Sequence, residues 1–310
     1  MENKVIAYKG FNSDLTCRGF QYKIGEKYSC DEKIIICEKG FHACKEPLDV
    51  LNYYSEPDSR YCTVEQSGEI IRSSDNTKQV SSEIKIIKEI DLVGLVKAEI
   101  EHLKETTKNE ETDEATKKSE CDGALINSTR GFTNIYSKGY GTQIYSGGGH
   151  TMIISVGNSS IIGSRNLFNE IYSAGWDSKI CSIGDYAKIH ANAHSIIFST
   201  GDYAQISTSG IGVVVYSLGY HSIINCQGDN TRVRAKKGSW ITLTEWKIIH
   251  GVLKVSCVKT EYVDGKRIKE DTFYAIRNGK FVEQYPSPSN AKKGILNAIS
   301  SYIKNVFKSK

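Results

Sequence analysis

Proline and methionine are nearly missing from this sequence, at 4 and 2 of 310 residues, while glycine reaches 27. With so little proline, the glycines are expected to serve regular turns and not a proline-rich linker. Long apolar runs are missing as well. None approaches the ~18 residues that cross a bilayer, which excludes a transmembrane helix. Neither charge dominates: 40 basic against 36 acidic residues leave a net +4. That excludes a uniformly basic nucleic-acid coat and an acidic nucleic-acid mimic, so nucleic acid is not an expected partner. The opening Met-Glu-Asn-Lys-Val-Ile has neither the apolar core nor the cleavage site of a signal peptide, and a cytoplasmic location in a host cell is expected. The nine cysteines are an odd number, expected there as thiols and not as a disulfide framework. The length suits two domains of ~100–200 residues each.

What is present is a nine-residue repeat. From Cys121 onward, blocks such as GFTNIYSKG, YGTQIYSGG and GHTMIISVG follow one another. The fifth position holds Ile126, Ile135, Ile144, Ile153, Ile162, Ile171, Ile180 and Ile189, and after one deletion Ile197, Ile206, Val215, Ile224 and Val233. Two residues after each stands a small side chain, from Ser128 and Ser137 to Cys226 and Ala235. The run small–x–Ile–x–small is a period-2 strand whose inward face carries the small and branched residues. The glycine closing most blocks permits the positive φ of a tight turn. A nine-residue strand and turn cannot bury its own face, so the units must stack. The reading is a β-solenoid, a β-roll of nine-residue half-coils, with three nonapeptides per coil as the alternative.

Two half-coils per coil give two outer faces. One stacks Tyr136, Ile154, Tyr172 and His190. The other stacks Tyr145, Gly163, Cys181, Phe198 and Tyr216 beside Ile161, Ile196 and Val214. The second face is too apolar to stand in water, so it is expected to be covered by another part of the chain or by a second copy. Tyr145, Ile161, Cys181, Ile196, Phe198, Val214 and Tyr216 are the candidate interaction surface for a protein partner, a glycan or a homo-oligomer. Turn acids are few and scattered (Asp185, Asp202 and Asp229), whereas calcium needs several converging oxygens. They read as turn formers.

Residues 1–95 have another texture: mixed charge, no repeat, clustered motifs. Val5-Ile6-Ala7-Tyr8, Ser59 to Glu65 and Lys85-Ile86-Ile87 read as strands, and Pro47 opens a short helix through Tyr54. The whole is an α+β head. Residues 96–120 begin as a helix and become a charged linker. The string YKGF, CRGFQY, GFHAC, PLDVLNYY, SRYCTVE resembles an uncharacterised bacterial and phage family in which this module precedes tandem nonapeptides and a β-hairpin tail. The resemblance covers residues 5 to about 284. It implies association with phages or mobile elements and brings no known activity, so a non-enzymatic binding or structural role is the leading expectation.

Two chemistries remain open for the head. Its motif order loosely resembles ADP-ribosyltransferases. That resemblance implies Arg18 near cofactor phosphates and Glu65 or Glu69 as the catalytic acid, with His42-Ala43-Cys44 standing where the family has Ser-Thr-Ser. Arg18, His42 and Glu65 are therefore the catalytic candidates. Separately, Cys17, Cys30, Cys37, His42, Cys44 and Cys62 fall close together, and thiols with imidazole suit zinc. Lacking a Cys-x2-Cys knuckle, Cys17, Cys37, His42 and Cys44 are weak metal candidates beside the reading that they fill a core. No cofactor is implied.

The repeat proper spans 121–237. Residues 238–285 form an antiparallel cap, with Asp264-Gly265 and Asn278-Gly279 as hairpin signals. Residues 286–310 place Ile295, Leu296, Ile299, Tyr302, Ile303, Val306 and Phe307 at helical spacing among five lysines and no acid. That is a basic amphipathic helix for an anionic membrane or a partner groove.

Overall fold

The computed structural model describes residues 4–54, 58–73, 78–110 and 114–284. The helix expected over 286–310, with Ile295, Leu296, Ile299, Tyr302, Ile303, Val306 and Phe307, lies outside the described residues. No described helix is long and apolar enough to cross a membrane. The chain divides into two compact units near residue 95.

In the head, β1 (Val5–Phe11), β2 (Thr16–Cys17), β3 (Phe20–Gln21), β4 (Lys27–Ser29), β5 (Phe41–Cys44), β6 (Arg60–Arg72) and β7 (Lys78–Ile90) are all antiparallel to their partners. β1 pairs with β6, β6 with β7, β7 with β5, and β5 back with β1 through Tyr8 and Cys44, so the pairing closes on itself. Ala7, Phe11, Phe41, Cys62, Val64, Ile84 and Ile86 fill its interior. The helix expected at Pro47 is a 3-10 turn, Pro47–Asn52, that buries Leu48 and Val50.

The second unit opens with α1 (Leu92–Thr107), of which residues 96–107 belong to it. Fourteen four-residue strands follow, β8 (Thr116–Ser119) to β21 (Arg232–Ala235). Even-numbered strands form one parallel sheet and odd-numbered strands the other, each residue pairing with the one 18 further on, as Ile135 with Ile153 and Ile144 with Ile162, or 17 further on where a coil is one residue shorter, as Ile180 with Ile197 and Ile189 with Ile206. Two nonapeptides therefore make one coil, for about seven turns over residues 116–243. The solenoid starts at Thr116, inside the expected linker, and runs on into β22 (Trp240–Ile249), which continues the even sheet. The isoleucine columns of both sheets face each other in one dry core. The small residues close the corners: Ser137 donates to Thr142 at 2.8 Å, and Ser155 and Ser173 do the same to Ser160 and Ser178.

The block-closing glycine has a different task from the one its sequence context suggests. A Cβ on Gly157 would lie 1.9 Å from the carbonyl oxygen of Gly139, one coil away, and one on Gly148 would lie 1.9 Å from that of Arg130. These glycines let the turns of successive coils touch. The positive φ sits two residues later, mostly on larger side chains: His150 (55°), Phe168 (56°), Tyr186 (57°), Tyr203 (57°) and His221 (57°). One coil apart, these rings stack into a column that starts at Phe132, with centroids 4.9, 5.0, 4.9, 5.2 and 5.4 Å apart.

The cap covers both sheet edges. β22 turns at His250-Gly251 into β23 (Val252–Tyr262), and β24 (Phe273–Arg277) adds antiparallel to β21 before turning at Asn278-Gly279 into β25 (Lys280–Glu283). Asp264-Gly265 is not a hairpin. Its Asp264 carboxylate accepts the amides of Lys266, Arg267 and Ile268 in a local turn.

Candidate functional site

The solenoid presents two unlike faces. On the odd sheet, Tyr145, Gly163, Cys181, Phe198 and Tyr216 are in register. Tyr145, Cys181 and Phe198 are almost fully buried. The covering comes from the chain itself. α1 packs its apolar side, Val96, Ile100 and Leu103, inward, and Leu103 occupies the space where a Cβ on Gly163 would be, 2.8 Å away. Fully buried Glu99 pairs with Lys179 at 3.7 Å, and Arg165 pairs with Glu101. Farther along, Phe198 stacks on Tyr216, which meets Phe273 of the cap edge-on at 4.9 Å. Tyr145, Cys181, Phe198 and Tyr216 are thus core residues, not a free interaction surface, and Ile161, Ile196 and Val214 are half-buried beside them. Apolarity signalled burial, and a helix met it.

The even sheet carries the other face, with Tyr136, Ile154, Tyr172 and His190 in register. A shallow recess of about 350 Å³ lies there between Tyr172, His190, Gln205, Ser207, Ile223 and Asn225. Beside it Lys188 and Glu170 neutralise each other at 2.7 Å. Asp185 and Asp202 accept the turn amide of the next coil, Asp202 N–H and Tyr220 N–H, at 2.8 and 2.7 Å. They are coil-to-coil staples. Among the described residues no group of three or more His, Cys, Asp or Glu side chains could hold a metal ion.

A cleft of about 720 Å³ lies in the head. It is built by local geometry that the motifs encode. Cys17-Arg18-Gly19-Phe20 is a two-residue hairpin turn between β2 and β3, with φ of 51° at Arg18 and 79° at Gly19. The turn aims Arg18 into the cleft, where its guanidinium donates to the Cys37 carbonyl at 2.9 Å. His42, on β5, accepts the Cys37 amide at Nε2 (2.8 Å) and contacts the Gly40 carbonyl through Nδ1 (3.1 Å). Both ring nitrogens are therefore tied to the backbone. Burial, then the charges of Lys9, Arg18 and Lys78, push the imidazole down to about 4, so it is neutral near pH 7. Phe20, Tyr22, Phe41 and Tyr53 wall the cavity.

Arg18 and His42 thus meet at Cys37, but Glu65 does not join them. It sits on β6 paired with Lys4 at 3.3 Å and does not line the cleft. The catalytic trio expected from the enzyme-like motif order is not assembled. Of the four weak metal candidates, Cys17 and Cys44 line the cleft with His42, while Cys37 uses its main chain to hold Arg18 and His42.

The structure adds residues that motif reading passes over. Lys9 is 5% exposed and its ammonium donates to the His42 carbonyl at 2.9 Å and to the Cys17 sulfur at 3.4 Å. Burial lowers its affinity for the proton, and the neighbouring Cys17 sulfur opposes that. Tyr54 donates to the same sulfur at 3.0 Å. Gly10 makes room for it: a Cβ there would lie 2.5 Å from the Tyr54 ring. The chain does carry a signal for Lys9, since it shares the inward face of β1 with Ala7 and Phe11, where a charge is out of place.

No curated protein and no solved structure shows a match to this chain. Residues 5–98 match a family model described as a domain of unknown function, DUF7666, which spans the head with its cleft and the start of α1 and leaves the solenoid outside it.

Proposed function

We propose that this is a binding protein: the head cleft takes a small anionic ligand with a flat apolar body, and the solenoid is a rigid structural element. The observation that carries the reading is an unbalanced charge. Among the described residues, neither the buried Lys9 nor Arg18 forms an ion pair with a carboxylate, although Lys39 at the rim pairs with Glu32. A buried ammonium without a counter-charge is costly. A carboxylate or phosphate between Lys9 and Arg18 offsets that cost, and the Phe20, Tyr22 and Tyr53 rings receive a planar body. Titration calorimetry of the full chain with benzoate and with benzamide tests this. Benzoate is expected to bind and benzamide to bind at least about tenfold more weakly, with Arg18→Gln removing about the same factor from benzoate. Equal binding of the two, or binding of neither, overturns the reading.

A second binding role rests on the open sheet. The recess beside Tyr172 combines an aromatic ring, 40% exposed, with the side chains of Gln205, Ser207 and Asn225 and little net charge. That chemistry suits a neutral glycan chain. Retardation in gels containing neutral polysaccharide is expected for the protein and lost on Tyr172→Ala. A mobility that no neutral polysaccharide changes removes this role.

A further inference from the structure

We propose that Cys17 is a nucleophile that captures small carboxylate-bearing electrophiles in the head cleft; the carboxylate part of this rests on the anion-binding reading above. Three independent placements carry it. The Cys17 sulfur is half-buried and lines the cavity, so a ligand in the cleft can reach it. Two donors converge on that sulfur, the Lys9 ammonium at 3.4 Å and the Tyr54 hydroxyl at 3.0 Å. Both donors are held there by the fold: Lys9 by its inward position on β1 and the His42 carbonyl, Tyr54 by the space that Gly10 leaves.

Negative charge that develops on the sulfur as its proton leaves is met by an ammonium and a phenol together. Arg18, which lines the same cleft, is placed to meet the carboxylate of a ligand. Two other thiols of the head differ: burial raises Cys62 to about 12, the environment of an inert core cysteine, and the exposed Cys37 accepts from Lys78 at the longer distance of 3.7 Å.

The chemistry balances without a further reactant. The thiol proton passes to solvent, the sulfur lone pair forms the S–C bond, the carbon–leaving-group pair departs with the leaving group, and Lys9 and Tyr54 keep their protons. With a haloacetate the leaving group is the halide.

Iodoacetamide and iodoacetate labelling of the full chain, read at each cysteine by peptide mass spectrometry, tests the proposal. Exposed Cys121 is the internal reference. At neutral pH, Cys17 is expected to react with iodoacetamide about tenfold faster than Cys121 despite its lower exposure, and Lys9→Met and Tyr54→Phe each to lower that rate severalfold. Cys17 is further expected to prefer iodoacetate relative to Cys121, and Arg18→Gln to abolish that preference. Protection of the fully buried Cys62 reports that a variant is folded. Where Lys9→Met exposes Cys62, Tyr54→Phe decides. Iodoacetamide labelling of Cys17 no faster than of Cys121 overturns the nucleophile. Fast iodoacetamide labelling without an iodoacetate preference leaves the nucleophile standing and overturns the anion site.

Discussion

The head and the solenoid solve the same problem, a core built from β-strands, in opposite ways. The solenoid repeats one solution: an isoleucine column, hydroxyl pairs at the corners, and a glycine at each close approach between coils. Each position there is answerable to its neighbours 17 or 18 residues away. The head repeats nothing. Its core admits a lysine, its turns hold Arg18 and Cys37 at positive φ of 51° and 67°, and its cavity stays open. The periodic unit packs its side chains against one another, whereas the aperiodic unit keeps Lys9, Cys17 and Arg18 facing a cleft. That difference underlies the proposed division into scaffold and site.

The largest effect expected from this contrast is in the scaffold. In Gly157→Ala the new methyl group meets backbone of the adjacent coil at 1.9 Å, and backbone cannot give way as a side chain can. A loss of about 3 kcal/mol or more is expected. Gly123→Ala is the control: φ is 65° but nothing lies within 4 Å, so only the left-handed strain of about 1–2 kcal/mol applies. All three tryptophans, Trp176, Trp240 and Trp246, lie in the solenoid and cap. Urea unfolding by tryptophan fluorescence therefore reads this unit, and Cys62 protection reads the head. A large shift in both signals for Gly157→Ala breaks the division drawn here.

The same contrast explains why the two units differ in how much of each is legible in the sequence. The register of Ile135 on Ile153 and the facing order of Tyr145, Gly163, Cys181 and Phe198 follow from counting, because in a stacked coil sequence period and spatial neighbour are the same information. Counting fails where two residues 18 apart interact through the backbone. The closing glycines read as positive-φ positions because glycine most often marks such a place, while the close approach that requires them is invisible in one dimension. In the head no period links distant residues. Arg18 and His42 stand out as motif members, but their meeting at Cys37 depends on a hairpin turn and a β5 register. Tyr54 reaches Cys17 from 37 residues away through a gap left by Gly10. Lys9 alone has a local signature.

A smaller effect separates the two units by pH. His42 is held neutral in the folded head, at about 4 against an ordinary 6.5. Below pH 6.5 the unfolded chain takes up a proton that the folded head refuses, so stability is full above that pH and falls until about pH 4. The slope is bounded by about 1.4 kcal/mol per pH unit and is smaller than that because the ring is only partly buried. Urea midpoints followed by Cys62 accessibility are expected to fall between pH 6.5 and 4.5, and His42→Asn to flatten that dependence. An unchanged slope in the variant assigns the pH response to another group.

The finest comparison lies within the solenoid, in its ring column. Phe168 is stacked between His150 and Tyr186 at 5.0 and 4.9 Å while its backbone sits at φ 56°. Stacking contributes about 0.5–1.5 kcal/mol per contact, and the left-handed backbone of a non-glycine residue costs about 1–2 kcal/mol. Phe168→Ala loses both contacts and keeps the strain. Phe168→Gly loses the same contacts and relieves it. The usual order, in which glycine is the more damaging replacement, is therefore expected to invert, with the glycine variant about 1 kcal/mol more stable than the alanine variant in tryptophan-monitored urea unfolding. Should alanine prove the better replacement, the turn bears no strain for the rings to offset, and the column is a consequence of the coil and not a contributor to its stability.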